Sequence, residues 1–253
     1  MLDTHCHLDF PVFDPDRETV LERARSVGVR GYLVPGVRLR DFDRVAALRG
    51  PEIAIAFGLH PGFLADHPAD GVVQLERWIL EHQPMAVGEI GLDYLLPEEH
   101  HAAQWMLLEQ QVRLAARHAL PLLLHVRRAH DLVLSLLRRL SFAHGGIVHA
   151  FGGSLQQAEA YGRLGFCLGL GGVVTHDRAR RIRQVAAVMP EEWMVLETDA
   201  PDLAPAGHAG ERNEPCFLPE VVRVLAELRG VEPEQIVTIT TRNARRVLNW
   251  PEE

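Results

Sequence analysis

Short apolar runs alternate with longer amphipathic stretches along the whole chain. The apolar runs predict β-strands, because short apolar runs bounded by turn residues are typical of buried strands. Most of the runs are continuously apolar, which favours a parallel sheet buried on both faces. The predicted strands are Met1–Cys6, Gly31–Gly36, Ile53–Gly58, Met85–Gly91, Leu122–His125, Gly146–His149, Phe166–Leu170 and Met194–Thr198. The predicted helices are Asp16–Ser26, Leu39–Leu48, Asp70–His82, His100–His118, Ala129–Leu140, Ser154–Leu164, Arg178–Val188, Leu218–Leu228 and Pro233–Leu248.

Eight strand–helix units in 253 residues predict an α/β fold of the TIM (β/α)8 barrel type. The alternative is an open doubly wound sheet, whose first loop often carries G-x-G-x-x-G, and no such loop follows the first predicted strand. Barrels of about 250 residues form one unit, so we expect a single domain over residues 1–253. The long irregular stretch Pro201–Phe217 follows the last strand, a position from which barrel loops reach the active site.

Composition adds an exclusion, because the chain has no lysine and all 26 basic residues are arginine. A P-loop lysine under a nucleotide phosphate is therefore excluded, and so is a lysine Schiff base. The same absence removes a carboxylated lysine as a bridge between two metal ions. Any phosphate contact by a cationic side chain must come from arginine.

The formal net charge is −8, whereas proteins that bind DNA independently of sequence are usually basic overall. Attraction for nucleic acid must then be local. The three cysteines form neither a C-x-x-C pair nor a disulfide framework, which fits a reducing compartment. The sequence has no signal-peptide pattern and no apolar run of about 20 residues. We expect a cytoplasmic protein without membrane association or an obligate protein partner.

Polar residues of metal-ligating type end several predicted strands. In a parallel barrel these strand ends converge on one rim, and burying such groups there is costly unless they are paired or bind a metal. Residues two apart in an extended segment face the same side, so the first two histidines can share one ion. The candidates are His5, His7, Glu89, His125, His149 and Asp199.

Each candidate has an ordinary explanation by itself. A histidine at a strand end is often a hydrogen-bonded core residue, Glu89 can cap a loop, and Asp199 can begin a turn. Six of them at one rim favour a two-metal site. Imidazole and carboxylate without thiolate suit Zn, Mn, Co, Ni or Fe, with Mg also accepted at a carboxylate-rich position. The remaining helix and turn histidines are expected to be solvated: His67, His82, His100, His101, His118, His130 and His144.

The chain resembles the TatD family of metal-dependent deoxyribonucleases, within the amidohydrolase superfamily of barrels, over essentially its whole length. Single motifs are generic, but seven in family order are specific. They are Asp3-Thr4-His5-Cys6-His7-Leu8-Asp9, Gly58-Leu59-His60-Pro61, Val87-Gly88-Glu89-Ile90-Gly91-Leu92-Asp93-Tyr94, Leu124-His125-Val126-Arg127, His149-Ala150-Phe151-Gly152-Gly153-Ser154, Leu196-Glu197-Thr198-Asp199-Ala200-Pro201 and Arg212-Asn213-Glu214-Pro215.

The resemblance implies a role for each matched ligand. His5 and His7 would hold one metal, and His125 and His149 would hold the other. Glu89 would bridge the two, in the place that a carboxylated lysine takes in many related barrels. Asp199 would contact a metal and the attacking water. The implied cofactors are two divalent metal ions, of which Zn, Mn, Mg, Co and Ni are candidates.

The reaction expected from these residues is hydrolysis of phosphodiesters by a hydroxide that the two metals share. Asp199 would act as general base. Arg127 would neutralise charge on the phosphoryl oxygens, and His60 would touch the reacting phosphate or a metal. Glu197 and Asp93 could orient ligand histidines.

The expected substrate is DNA with an accessible single-stranded or frayed end, bound weakly and mainly at the metals. Two other classes of function stay open at this point. The same site could cleave a lactone, an amide or the ester of an aminoacyl-tRNA, since fold and ligands do not decide the substrate. The barrel could also be a non-catalytic metal-binding interaction protein, although the complete ligand set argues against that.

Overall fold

Eight parallel strands lie in sequence order in one sheet, and each pairs with its neighbours along the chain. The computed structural model describes residues 1–251. The strands are β1 Leu2–Asp3, β2 Gly31–Gly36, β3 Ile53–Phe57, β4 Ala86–Asp93, β5 Leu122–Arg127, β6 Gly146–Val148, β7 Phe166–Leu170 and β8 Met194–Leu196. The helices are α1 Arg17–Ser26, α2 Phe42–Leu48, α3 Gly71–His82, α4 His101–Arg117, α5 His130–Arg139, α6 Leu155–Arg163, α7 Arg180–Val188, α8 Leu218–Arg229 and α9 Pro233–Leu248.

The sheet closes between its last strand and the chain that follows its first. Thr4 N donates to the Leu196 carbonyl on β8 at 3.0 Å, and Cys6 N donates to the Leu33 carbonyl on β2 at 3.1 Å. Further along, Asp199 N donates to the His5 carbonyl at 2.9 Å. These bonds close a TIM barrel, which confirms the predicted fold class.

The predicted strand bounds need correction at their carboxyl ends. β1 ends at Asp3 and not at Cys6, because the chain beyond it bonds to β8 and β2 through single, irregular hydrogen bonds. Conversely, β4 continues to Asp93 and β5 to Arg127, since the two strands stay paired over their last four residues. β6 and β8 stop one and two residues early, at Val148 and Leu196. The carboxyl ends are therefore where the regular ladder gives way to the site.

The barrel interior contains a layer to which every strand contributes one buried residue. This layer consists of Leu2, Leu33, Ala56, Ala86, Leu123, Ile147, Cys167 and Val195. Ala244, Val247 and Leu248 of α9 pack against the same layer, so α9 closes the amino-terminal end of the barrel. The amino-terminal end of the barrel is thus closed, and the carboxyl-terminal end remains open for a site.

The remaining helices pack around the sheet through apolar faces and form the larger core. α6 begins at a capping box, in which Ser154 and Gln157 each bond the other's backbone, and α8 ends at Gly230 in the left-handed conformation. These local signals lie where helices are predicted. Within residues 1–251 no helix combines the length and apolarity needed to cross a bilayer.

Candidate metal centre

Beyond the interior layer, every second residue of a strand again faces the barrel axis, up to the carboxyl-terminal rim. On β8 and beyond it, Val195 belongs to the layer, and Glu197 and Asp199 follow at intervals of two residues. On β6, Ile147 is followed in the same way by His149. Residues two apart in a strand face the same side, so these groups point into the barrel mouth.

β4 departs from this regular alternation. Its register against β5 shifts between Val87 and Ile90, so that Glu89 takes the inward position and Ile90 joins the outer core. Gly88 permits the close approach, because a Cβ atom there would collide with Leu123 on β5. The irregularity in the strand therefore turns a carboxylate toward the histidines that are candidate metal ligands.

The first half of the cluster combines His5, His7, Glu89 and Asp199. His5 Nε2 and His7 Nε2 are 3.3 Å apart. Glu89 Oε2 lies 3.4 and 3.5 Å from these two nitrogens, and Asp199 Oδ1 lies 3.6 and 3.7 Å from them. Asp199 has a left-handed backbone conformation, with φ of 59°, and its N–H is held by the His5 carbonyl.

The second half gathers around the other oxygen of Glu89. Glu89 Oε1 lies 3.1 Å from His125 Nδ1 and 2.9 Å from His149 Nε2, and these two nitrogens are 3.2 Å apart. His60 Nε2 also approaches Glu89 Oε1, at 3.4 Å. His60 therefore lies among the candidate ligands and not only beside a substrate, which sharpens the sequence expectation.

The residues fit divalent metal ions. Three groups have donor atoms that all lie within 4.8 Å of one another: His5, His7 and Asp199; His5, Glu89 and His149; and His60, Glu89 and His125. Ions such as zinc bind nitrogen and oxygen at about 2.0–2.2 Å, which brings ligand atoms to the mutual spacings seen here. The imidazole nitrogens face one another, with carboxylate oxygens between them. A shared cation satisfies such a set of donor atoms better than hydrogen bonds among the atoms themselves would.

Two further carboxylates lie behind the histidines. Asp93 Oδ2 is 3.1 Å from His125 Nε2, the nitrogen that faces away from Glu89. Glu197 Oε1 is 3.8 Å from His149 Nδ1 and accepts a hydrogen bond from Ala150 N. Burial raises the pKa of Glu197 to about 8, so this carboxyl is mostly protonated at neutral pH.

The carboxylates set the charge of the histidines. Burial opposes a charge on His7, but the hydrogen bond and charge of Glu89 raise its pKa to about 9. Burial opposes a charge on His149 too, yet Glu89 and Asp199 raise its pKa to about 10. Burial and the neighbouring His149 instead lower the pKa of His5 to about 4. A cation would take the place of these protons.

Arg127 ends β5 and lies at the mouth of the cavity of about 390 Å³ that is lined by the candidate metal ligands. Its side chain is exposed and makes no hydrogen bond or ion pair within residues 1–251. Leu123, His125 and Arg127 follow each other at intervals of two residues, so the arginine faces the same side as the ligand below it. The guanidinium is free to meet an anion.

Sequence reasoning missed one polar residue and placed another wrongly. Asn213 is fully buried, and its Nδ2 donates to the carbonyls of Thr198 at 2.8 Å and Asp202 at 2.6 Å, on either side of Asp199. The Arg212–Asn213–Glu214–Pro215 motif was the signal that could have found it. His130 was expected to be solvated, which is wrong: it is buried, because it packs against Phe151 at the start of α5.

Comparison with known proteins agrees with this geometry. Residues 2–249 match the family described as TatD related DNase. The chain is 41% identical to the uncharacterized metal-dependent hydrolase YjjV of Escherichia coli K12, over 99% of this chain and 98% of that one. It is 33% identical to a protein of Erwinia billingiae named 3'-5' ssDNA/RNA exonuclease TatD, over 99% and 100% of the two chains.

A solved structure extends the similarity to three dimensions. The crystal structure of the TatD homologue YjjV from Escherichia coli K12 superimposes with a TM-score of 0.94 at 40% identity. The match covers 99% of this chain and 98% of that one. The similarity therefore includes every strand that contributes to the cluster.

Proposed function

Because the chain belongs to the TatD family of metal-dependent hydrolases, we propose that it cleaves phosphodiester bonds at accessible ends of single-stranded nucleic acid, with DNA as the preferred substrate. The observation that carries the proposal is that the two carboxylate oxygens of Glu89 face two different pairs of histidines. One of its oxygens faces His5 and His7, and the other faces His125 and His149.

In this proposal His5, His7 and Asp199 hold one metal, and His125 and His149 hold a second, with Glu89 between them. His60 lies near enough to Glu89 Oε1 to assist the second position. Divalent metal ions bound there would lower the pKa of water and withdraw charge from phosphoryl oxygens. The chain itself supplies the ligands, a base and a cationic group for the substrate.

Asp199 is the carboxylate best suited to act as general base. Its side chain is 15% exposed, whereas that of Glu89 is 4% exposed and surrounded by imidazoles. Asp199 can therefore orient a water molecule at the cluster, accept its proton and pass that proton to solvent. Its left-handed backbone, held by the His5 carbonyl, aims the carboxylate at His5 and His7.

Arg127 is the group that we assign to the phosphate. Its planar guanidinium can bind two phosphoryl oxygens at once, and it makes no hydrogen bond or ion pair within residues 1–251. The nearby Asp93 on β4 interacts with it only through charge, since Arg127 helps to lower the pKa of that carboxyl. The cation would favour the transition state over the ground state, because negative charge increases on those oxygens during displacement.

The preference for strand ends follows from the shape and the charge of the molecule. A cavity of about 390 Å³ inside the barrel rim admits one phosphate with its neighbouring groups, but not a continuous duplex. The net charge of −8 disfavours tight duplex binding independent of sequence. The name of the Erwinia billingiae relative supports single-stranded DNA and RNA as the substrate class.

A substrate panel tests the proposal. Purified protein would be assayed with Zn, Mn, Mg, Co and Ni against single-stranded DNA, RNA, duplex DNA, bis(p-nitrophenyl) phosphate, a lactone and an aminoacyl-tRNA. We expect single-stranded DNA to be shortened from an end, and a chelator to stop the reaction. Cleavage of the lactone or the aminoacyl-tRNA alone would favour the rival hydrolase reading. If no phosphodiester were cleaved with any metal, the proposal would be wrong.

Asp199→Asn provides the matched mechanistic test. We expect it to lower kcat at least about 100-fold, the usual contribution of a positioned base. Asp177→Asn is the control, because the Asp177 side chain is 99% exposed and far along the chain from every ligand. Full activity in Asp199→Asn would exclude the general-base role.

A further inference from the structure

A second cavity, of about 670 Å³, opens beside the one that is lined by the candidate metal ligands. The two cavities share the lining residues Val126, Arg127, Ala150 and Leu203. We call the second one the arginine cavity, because Arg127, Arg128 and Arg181 all line it. A ligand at the metal cluster can thus continue into the arginine cavity without leaving the barrel mouth.

The side chains of all three arginines that line this cavity are exposed. None makes a side-chain hydrogen bond or an ion pair within residues 1–251, although many other arginines of the chain are paired with carboxylates. Arg128 follows β5, and Arg181 lies in the first turn of α7. Three unpaired cations from two separate segments around one cavity are suited to an anionic ligand.

Few acidic groups oppose these cations. The acidic residues that line the arginine cavity are Asp131 and Glu197. Asp131 accepts a hydrogen bond from Gln157 Nε2 at 2.9 Å, and Glu197 is only 1% exposed. The α5 amino terminus also opens on this cavity, and its positive potential is offset in part by Asp131 in the first turn of the helix.

The walls between the arginines are apolar. Leu95, Leu132 and Val173 line the cavity although they are 52%, 40% and 38% exposed. Val174 and Ile182 line it from buried positions. Exposed aliphatic groups next to free cations indicate a ligand that has an apolar face and a charged backbone. A nucleotide has this combination, with its base and its phosphate.

We propose that the arginine cavity binds the nucleotide adjacent to the reacting phosphate, with its base against the aliphatic wall and the next phosphate at Arg128 and Arg181. This inference rests on the proposed function, and it adds the position of the nucleic-acid strand beyond the reacting phosphate. It implies that affinity grows when the substrate extends beyond one phosphodiester, and that part of this affinity depends on salt.

Binding to a fluorescent oligothymidylate tests the cavity separately from catalysis. Fluorescence anisotropy would be recorded over a series of salt concentrations with Asp199→Asn protein whose metal content, verified by elemental analysis, equals that of the wild type. We expect Arg128→Ala/Arg181→Ala in this background to weaken binding about tenfold, the effect of two exposed ion pairs. The slope of log affinity against log salt should fall by about 0.7, the value for one lost phosphate contact on a single strand.

Arg77→Ala/Arg138→Ala is the matched control. Both residues are exposed, neither has a partner within the described chain, and both lie on the outer helices α3 and α5. This pair removes the same charge and should leave affinity and salt slope unchanged. Equal effects of the two double variants would overturn the proposal, and so would a failure of the parent Asp199→Asn protein to bind the oligonucleotide.

Activity then separates this proposal from the proposed function. With active protein, Arg128→Ala/Arg181→Ala should reduce cleavage of the oligonucleotide at least about fivefold more than cleavage of bis(p-nitrophenyl) phosphate, which has no second phosphate. Equal losses on both substrates would contradict a cavity for the adjacent nucleotide. If wild-type protein cleaved neither substrate, the proposed function would fail, while the binding comparison would still decide the cavity.

Discussion

Asp93 Oδ2 lies 3.1 Å from His125 Nε2, and the opposite ring nitrogen of His125 faces Glu89 Oε1 at the same distance. Burial opposes ionisation of Asp93, but the hydrogen bond from His125 lowers its pKa below the ordinary value. An ionised Asp93 accepts the Nε2–H and leaves the Nδ1 lone pair of His125 turned toward the cluster. This is the arrangement by which carboxylates orient metal-binding imidazoles in proteins.

Asp93→Ala should weaken metal binding at the His125 position by about 10- to 100-fold, the usual effect of removing such a carboxylate. The measurement is isothermal titration with zinc, with circular dichroism to verify the fold. Asp177→Ala removes an equal charge from a fully exposed position and should have no effect. Unchanged affinity in Asp93→Ala would show that His125 is oriented by packing alone.

Arg127→Ala should lower kcat/KM for phosphodiesters by about 10- to 100-fold, because a charge-assisted hydrogen bond contributes about 1.5–3 kcal/mol. Metal content should not change, since the Arg127 side chain makes no hydrogen bond or ion pair with a candidate ligand within residues 1–251. Elemental analysis and steady-state kinetics would be compared with those of Arg77→Ala. A loss of metal together with activity would contradict the assignment and give Arg127 a structural role.

Much of the site could be predicted because strand ends in a barrel converge. His125, His149 and Asp199 follow apolar runs directly, so pattern and topology together locate them at one rim. Glu89 is harder to predict. In a regular β4 with Ala86 facing inward, Gly88 would also face inward and Glu89 would face outward. The register shift between Val87 and Ile90 turns Glu89 inward instead. The position of Glu89 near the end of a predicted strand, and not the alternation, made it a candidate, and the family resemblance implied its bridging role.

Residues that act through long-range contacts escaped the sequence pattern. Asn213 reaches Thr198 from 15 positions away, and His130 is buried by its contact with Phe151. Arg128 and Arg181 lie far apart in the sequence and look like ordinary surface arginines, but the fold brings the end of β5 and the start of α7 to one cavity. Local periodicity contains no information on such pairs, because it reports only which face of an element is buried.

Asn213→Ala should lower both stability and activity, whereas Asn243→Ala should lower stability alone. Each asparagine is buried and donates its Nδ2 to two carbonyls: Asn213 to Thr198 and Asp202, Asn243 to Glu191 and Met194. Two carbonyls without a donor cost about 2–4 kcal/mol of unfolding free energy in either variant. Urea unfolding measures that loss.

Only Asn213 bonds on both sides of Asp199, so we expect kcat to fall at least about tenfold in Asn213→Ala beyond any fall in Asn243→Ala. Both assays would be made well below the unfolding midpoints, so that the folded fraction is the same. Equal kcat in the two variants would mean that Asn213 serves stability and does not position Asp199.

Metal binding should release about two protons at pH 7, one each from His7 and His149. The carboxylates around these histidines outweigh burial and raise their pKa to about 9 and about 10, so both are protonated in the metal-free protein at pH 7. An imidazole must be neutral to bind a metal. Apparent affinity therefore rises with pH, and proton release declines as the pH passes through these pKa values.

Isothermal titration in buffers of different ionisation enthalpy gives the number of protons directly. At pH 7 we expect about two for the fully loaded wild-type protein and about one for His149→Ala, which removes one of the two protonated imidazoles. A wild-type value near zero at pH 7 would show that both imidazoles are already neutral before the metal arrives. In that case the nearby carboxylates of Glu89 and Asp199 would not be sufficient to keep His7 and His149 protonated in the metal-free protein.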